Sequence, residues 1–145
     1  NSQTLHNMPN FTLDTRLAAD TLFVTDLTLS TVRLMNTALL PWLVLVPKVA
    51  GKKEIIDLEG FQEELLWKEI SFVSRALKEE FNPTKLNVAA LGNMVPQLHV
   101  HIVARFANDA AWPKPVWGNL PMEVYPEVEA GKMVARLIRM LKIPK

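Results

Sequence analysis

From Gln97 to Ile102 the chain alternates polar and apolar residues, Gln97-Leu98-His99-Val100-His101-Ile102, and continues through Val103-Ala104-Arg105. A period of two belongs to a β-strand with one face in a core; a helix would repeat every 3.6 residues. Leu98, Val100 and Ile102 then share one face, and Gln97, His99, His101 and Arg105 share the other. Such a strand, read over 97–106, needs neighbouring strands for its backbone groups and a packed layer for its apolar face.

The rest of the sequence supplies both. Runs over 21–27 (TLFVTDL) and 31–35 (TVRLM) are rich in β-formers and separated by a short polar turn. The run over 41–47 (PWLVLVP) is apolar and bounded by prolines, as a buried strand would be. A fourth strand is expected over 85–91 (KLNVAAL), followed by a turn at 92–96. Asp57 is placed to cap a helix starting near Leu58. Phe61, Leu65, Phe72, Val73, Ala76 and Leu77 form its apolar stripe, Glu63, Glu64, Lys68, Arg75 and Glu79 its wet face, and Asn82-Pro83 its stop. A last helix is expected over 127–141, with Met133, Val134, Leu137, Ile138 and Leu141 inward. The order strands, helix, strands, helix predicts an α+β fold: a mostly antiparallel sheet with one long helix and a C-terminal helix.

A length of 145 residues suits one domain with one real core. Residues 1–10 read as a flexible N-terminal tail and 11–106 as the main domain. Residues 107–145 read as a Trp- and Pro-rich extension with a helix, packed on the same domain. With 16 basic and 15 acidic residues the net charge is +1, which gives no electrostatic case for nucleic acid or an anionic membrane as partner. No cysteine is present, so disulfides, thiolate metal sites and a cysteine nucleophile are excluded. No apolar run approaches the ~20 residues of a membrane helix, and the polar start lacks a signal-peptide pattern. A cytoplasmic location is expected.

The polar face of the strand over 97–106 carries two of the chain's three histidines. One histidine there would most often be a satisfied structural residue. Two at a spacing of two, aligned with Gln97, point to a site. The spacing alone does not choose the chemistry, since two same-face imidazoles can hold a metal or can work on a phosphate. A catalytic zinc site needs a third protein ligand. The remaining histidine, His6, lies in the tail, and no Asp or Glu occurs between Lys85 and Ala107. Nucleophilic attack needs less: a neutral imidazole, an acceptor to hold its other nitrogen, and donors around the phosphate. Arg105, farther along the same face, is read as half of a structural ion pair, and Lys48, Lys52 and Lys53 as surface. Trp112 and Trp117, with Pro113 and Pro115, are read either as a plain cover for the sheet or, alternatively, as a dimer contact or substrate cover.

The segment Gln97-Leu98-His99-Val100-His101-Ile102-Val103 resembles the histidine-triad motif, in which three histidines alternate with apolar residues. Its lead-in, Asn87-Val88-Ala89-Ala90-Leu91-Gly92-Asn93, resembles the Asn- and Gly-bearing lead-in of the same family. With the earlier strands, Val46-Pro47-Lys48 and the long helix, the resemblance spans roughly residues 11 to 106. The tail around Trp112-Pro113 and Pro115-Val116-Trp117-Gly118 is similar to that of a bacterial subgroup. The resemblance implies a homodimer that binds a nucleotide-type small molecule. It implies hydrolysis or transfer at the α-phosphorus of dinucleoside polyphosphates or nucleoside phosphoramidates.

By position, His99 corresponds to the histidine that forms the nucleotidyl-enzyme intermediate. His101 corresponds to the histidine that contacts the phosphate. Asn93 and Asn87 fall where substrate-binding side chains are expected. Gln97 stands in place of the first histidine, where a backbone carbonyl orients the nucleophile. Thr37 stands where a ribose-binding Asp is expected, which leaves Asn36 as the candidate to replace it. No resident cofactor or metal is implied, although magnesium can arrive with substrate. Two other readings remain: a nucleotide-binding or sensing protein with little turnover, and a metal-dependent enzyme using His99 and His101.

Overall fold

The computed structural model describes residues 10–142. Most of the expected 1–10 tail, with His6, lies outside the described residues. The sequence-based reading overlooked a short helix, α1 (Thr15–Asp20), whose first turn is capped by Asp14: the Asp14 carboxylate accepts from the Arg16 N–H at 2.8 Å. Strands β1 (Thr21–Asp26), β2 (Ser30–Met35) and β3 (Trp42–Pro47) follow, then the long helix α2 (Gly60–Phe81). Strands β4 (Lys85–Ala89) and β5 (Val100–Arg105) and helix α3 (Glu127–Met140) complete the order.

The described strands form one sheet in the order β1-β2-β3-β5-β4, every neighbour antiparallel. The fold is therefore α+β, as the element order predicts. β5 lies between β3 and β4, with Val44 opposite His101 on one side and Ala89 opposite His101 on the other. Both of its backbone edges are hydrogen-bonded, which fixes its direction and its side-chain faces.

Period two holds through β5. Val100 and Ile102 join Leu98, Leu43, Leu45, Leu66, Val73 and Leu137 in the core between the sheet and helices α2 and α3. Val103 points the other way, into a second cluster with Trp42, Val44, Val46, Met35, Leu17 and Val116. The second cluster draws on the C-terminal extension, so β3 is covered on both faces and buried along its whole length. The expected strand over 97–106 is shorter. Gln97, Leu98 and His99 precede β5, and the Leu98 N–H bonds to the Lys52 carbonyl at 2.9 Å, not to the ladder.

Two expectations for α2 need correction. Asp57 caps no part of it. Its carboxylate accepts from the Lys53 and Glu54 N–H groups and closes a separate 3₁₀ turn, Ile55–Asp57. The helix begins after Glu59, which forms a capping box with Gln62, and ends at Asn82 in the left-handed region (φ 48°). Of the expected stripe, Val73 and Leu77 are buried and Leu65, Phe72 and Ala76 pack against the core, but Phe61 is exposed, and Gln62, Leu66, Glu69 and Ile70 complete the buried face. Glu69 is inward because its two carboxylate oxygens accept from the Leu29 and Ser30 N–H groups at 2.8 and 3.0 Å, tying α2 to the β1–β2 turn. A polar residue with that task shifts the face away from the one apolar residues alone suggest.

Candidate functional site

The two imidazoles meet in a cavity of about 440 Å³ on the face of the sheet away from α2 and α3. Its floor is His99, His101 and Trp42; Leu91 to Val95 form one wall, and Trp117 and Met122 belong to another. A larger cavity of about 520 Å³ lies between the β1–β2 turn, α2 and α3, and no histidine lines it.

The ring partners assign both tautomers. His99 Nδ1 is 2.7 Å from the Gln97 carbonyl oxygen. A carbonyl only accepts, so Nδ1 carries a hydrogen, and in the neutral ring the lone pair is on Nε2. His101 Nδ1 is 3.0 Å from Trp42 Nε1. An indole N–H only donates, so His101 Nδ1 accepts and the hydrogen sits on Nε2. Burial, with a smaller push from the His99 charge, depresses the His101 imidazolium to about 3. Over the neutral range His101 is therefore an uncharged donor. The two rings lie edge to face with centroids 4.8 Å apart. Trp117 packs edge-on against both His101, at 5.2 Å, and Trp42, at 5.7 Å.

The expected site residues separate into two groups. His99, His101 and Asn93 line the cavity together. Gln97 does not line it through its side chain: Oε1 accepts from the Asp14 N–H at 2.8 Å and Nε2 donates to the Thr12 carbonyl at 2.9 Å. Those bonds pin residues 12–14 beside the 94–97 loop, and Arg16 adds a bond to the Met94 carbonyl at 2.8 Å. Asn87, on β4, does not reach the cavity, because its carboxamide oxygen accepts from Arg105 Nη1 at 2.9 Å. Asn36 is also engaged elsewhere, its oxygen accepting from the Tyr125 N–H at 3.0 Å. Thr37 is fully buried, and its hydroxyl has no hydrogen-bond partner among the described residues.

Arg105 makes the ion pair expected of it. Its Nε lies 2.9 Å from Asp109, both side chains 2% exposed, while Nη2 donates to the Lys114 carbonyl at 2.8 Å. Burial alone would raise the Asp109 carboxyl. The Arg105 guanidinium and the Phe106, Ala111 and Trp112 N–H groups outweigh it and hold the carboxyl at about 2.

Sequence reasoning did not find Trp42, Leu17, Asp20, Met35 or Met122 as lining residues. Trp42 carried a signal: on a strand paired with β5, it lies two positions from the residue opposite His101 and shares its face. Among the described residues, no three His, Cys, Asp or Glu side chains converge to hold a metal. No described helix is long and apolar enough to cross a membrane.

Residues 16–108 match the HIT domain, a span that holds both imidazoles and all five strands. The chain belongs to the HIT family. Solved structures of this family are similar to it throughout. A histidine triad protein from Bradyrhizobium japonicum is 48% identical, with a TM-score of 0.88 over 91% of this chain and 98% of that one. One from Sinorhizobium meliloti is 42% identical, with a TM-score of 0.89 over 93% and 100%. One from Marinobacter aquaeolei is 46% identical, with a TM-score of 0.88 over 90% and 96%. A comparison with curated proteins gives no match.

Proposed function

We propose that this HIT protein hydrolyses or transfers nucleotides at the α-phosphorus through a covalent nucleotidyl-His99. The observation that carries the reading is the pair of opposite tautomers in one cavity. Beside a carbonyl, His99 presents the Nε2 lone pair needed for attack; held by an indole, His101 presents an N–H needed to bind a phosphate oxygen.

In the first step a P–N bond forms at His99 Nε2 and the bond from phosphorus to the leaving group breaks. The electron pair of that bond goes to the leaving group, which takes a proton from solvent where it needs one. His101 Nε2–H and the Asn93 amide donate to the non-bridging oxygens, where negative charge builds. As positive charge develops on the attacking ring, the Gln97 carbonyl accepts its Nδ1–H. In the second step water attacks phosphorus and gives up a proton to solvent as the new P–O bond forms, the P–N bond breaks, and His99 leaves as the neutral ring. Nucleoside phosphoramidates and dinucleoside polyphosphates are the substrate classes to test, the latter with its own magnesium. The protein needs no resident cofactor for these steps. Gln97 stands where the triad's first histidine would be and contributes its backbone carbonyl. The working unit is read as a homodimer.

The test is adduct trapping. Wild-type protein mixed with adenosine 5′-phosphoramidate and quenched in alkali should gain the mass of an adenylyl group on the peptide holding His99. His99→Ala should gain none while still binding AMP. Undiminished turnover by His99→Ala would refute the mechanism.

A further inference from the structure

The HIT match ends at residue 108, yet the cavity does not. Trp117 and Met122 line it, and both lie in the segment between that match and α3. This segment is built into the fold. Asp109 is clamped by buried Arg105, and the Lys114 carbonyl accepts from the same guanidinium. Val116 is 1% exposed in the second core cluster. At the far end the Glu123 carbonyl accepts from the Ala38 N–H at 2.7 Å, and the Tyr125 N–H donates to Asn36. Trp117 is thus held on both sides, and its ring stands against His101 and Trp42.

The chemistry of the lining is specific. Among the described residues around the cavity there is no Lys or Arg, and Asp20 is the one carboxylate. Met35, Met94 and Met122 with Trp42 and Trp117 supply polarizable apolar surface. Thioethers and indoles favour flat aromatic groups, whereas a cavity without a cation offers nothing to an added anionic tail.

We propose that the segment 109–126 is a specificity wall, in which Trp117 and Met122 select substrates that carry a flat, uncharged aromatic ring on the phosphorus-bearing group. The proposal rests on the reading of the site as nucleotide-binding and adds which residues recognise the base. The Arg105–Asp109 pair acts through the wall, as a positioning element.

The experiment measures binding, not turnover. AMP and ribose 5-phosphate carry the same phosphate and sugar and differ in the ring. Calorimetry with wild type, Trp117→Leu, Trp117→Phe and Met122→Ala compares them. Wild type should prefer AMP by at least about tenfold, the effect of one base–aromatic contact. Trp117→Leu should weaken AMP about tenfold and leave ribose 5-phosphate unchanged, while Trp117→Phe restores most of the loss. Met122 is 56% exposed, so its replacement spares the fold; Met122→Ala should weaken AMP about threefold. Equal losses for both ligands, an unchanged AMP affinity, or no wild-type preference overturns the proposal. The two readings fail separately. A ring preference without a His99 adduct refutes the covalent mechanism and supports the wall, and an adduct without ring preference does the reverse.

Discussion

Replacing Trp42 with Phe asks whether an indole N–H sets the chemistry of His101. The substitution keeps an aromatic ring between β3 and Trp117 but deletes the donor that lies 3.0 Å from His101 Nδ1. Trp42 and His101 are 4% and 5% exposed, so water does not simply replace it. An orphaned buried acceptor costs about 1–3 kcal/mol. For a protein of this size each kcal/mol lowers the melting temperature by roughly 2–4 °C. The larger effect falls on rate. With no donor on Nδ1, the hydrogen is free to move there, and Nε2 then turns a lone pair toward a phosphate oxygen. Loss of one such donor costs roughly 10²–10³-fold in the chemical step. The assay is single-turnover adduct formation, run beside ¹⁵N spectra of histidine-labelled protein, which distinguish the two tautomers directly. A folded Trp42→Phe protein that forms adduct within about twofold of wild type refutes the reasoning, given that a single lost donor is worth roughly a hundredfold.

Acid sensitivity follows from the buried imidazole. His101 titrates at about 3 in the native state and near ~6.5 unfolded, so between those values only the unfolded chain binds the proton. Stability therefore falls as pH drops below ~6.5, by at most about 1.4 kcal/mol per pH unit, and urea unfolding at pH 7 and 5 should show a steeper loss in wild type than in His101→Gln. Gln97→Ala should retain most single-turnover rate, because the carbonyl that orients His99 remains, while limited proteolysis near residues 12–14 increases as their side-chain tether is lost. A drop in rate as large as that of His101→Ala would contradict this. Asp109→Ala leaves the Arg105 charge buried without its partner and should cost about 3–5 kcal/mol in chemical denaturation, with Trp117 losing its fixed position.

Much of this was legible in the sequence because it rests on local periodicity. The alternation from Leu98 to Ile102 gave the two faces of β5, and the order of apolar runs gave an antiparallel α+β sheet. The site was legible as far as one strand carries it, in His99 and His101. What escaped depends on contacts between residues far apart in the chain. Position relative to the family motif places Asn87 and Asn36 among the substrate ligands, but Arg105 and the Tyr125 N–H, 18 and 89 residues away, occupy their carboxamide oxygens. Gln97 looked like a pocket residue by strand parity, but β5 has not begun at that position, and its amide is turned to residues 12 and 14. The inward turn of Glu69 depends on a hairpin 40 residues earlier. Asp14, by contrast, is an ordinary N-cap signal before a short amphipathic stretch, and α1 was within reach of the sequence.

The site's division of labour follows from the same long-range contacts. His99 and His101 are the same residue type, two positions apart, in rings 4.8 Å from each other. Left alone in water, each would sample both tautomers, so neither would have a defined role. One neighbour for each ring removes that symmetry. The Gln97 carbonyl is a local partner, two residues back, and requires nothing of the side chain at that position. The Trp42 indole comes from a different strand and reaches His101 only because β3 pairs with β5 in this register. A one-residue slip between those strands would turn Trp42 to the helix side and take its N–H away from the ring. Sheet register therefore controls the second histidine, and in their neutral forms the two rings divide into a lone-pair donor and a hydrogen-bond donor.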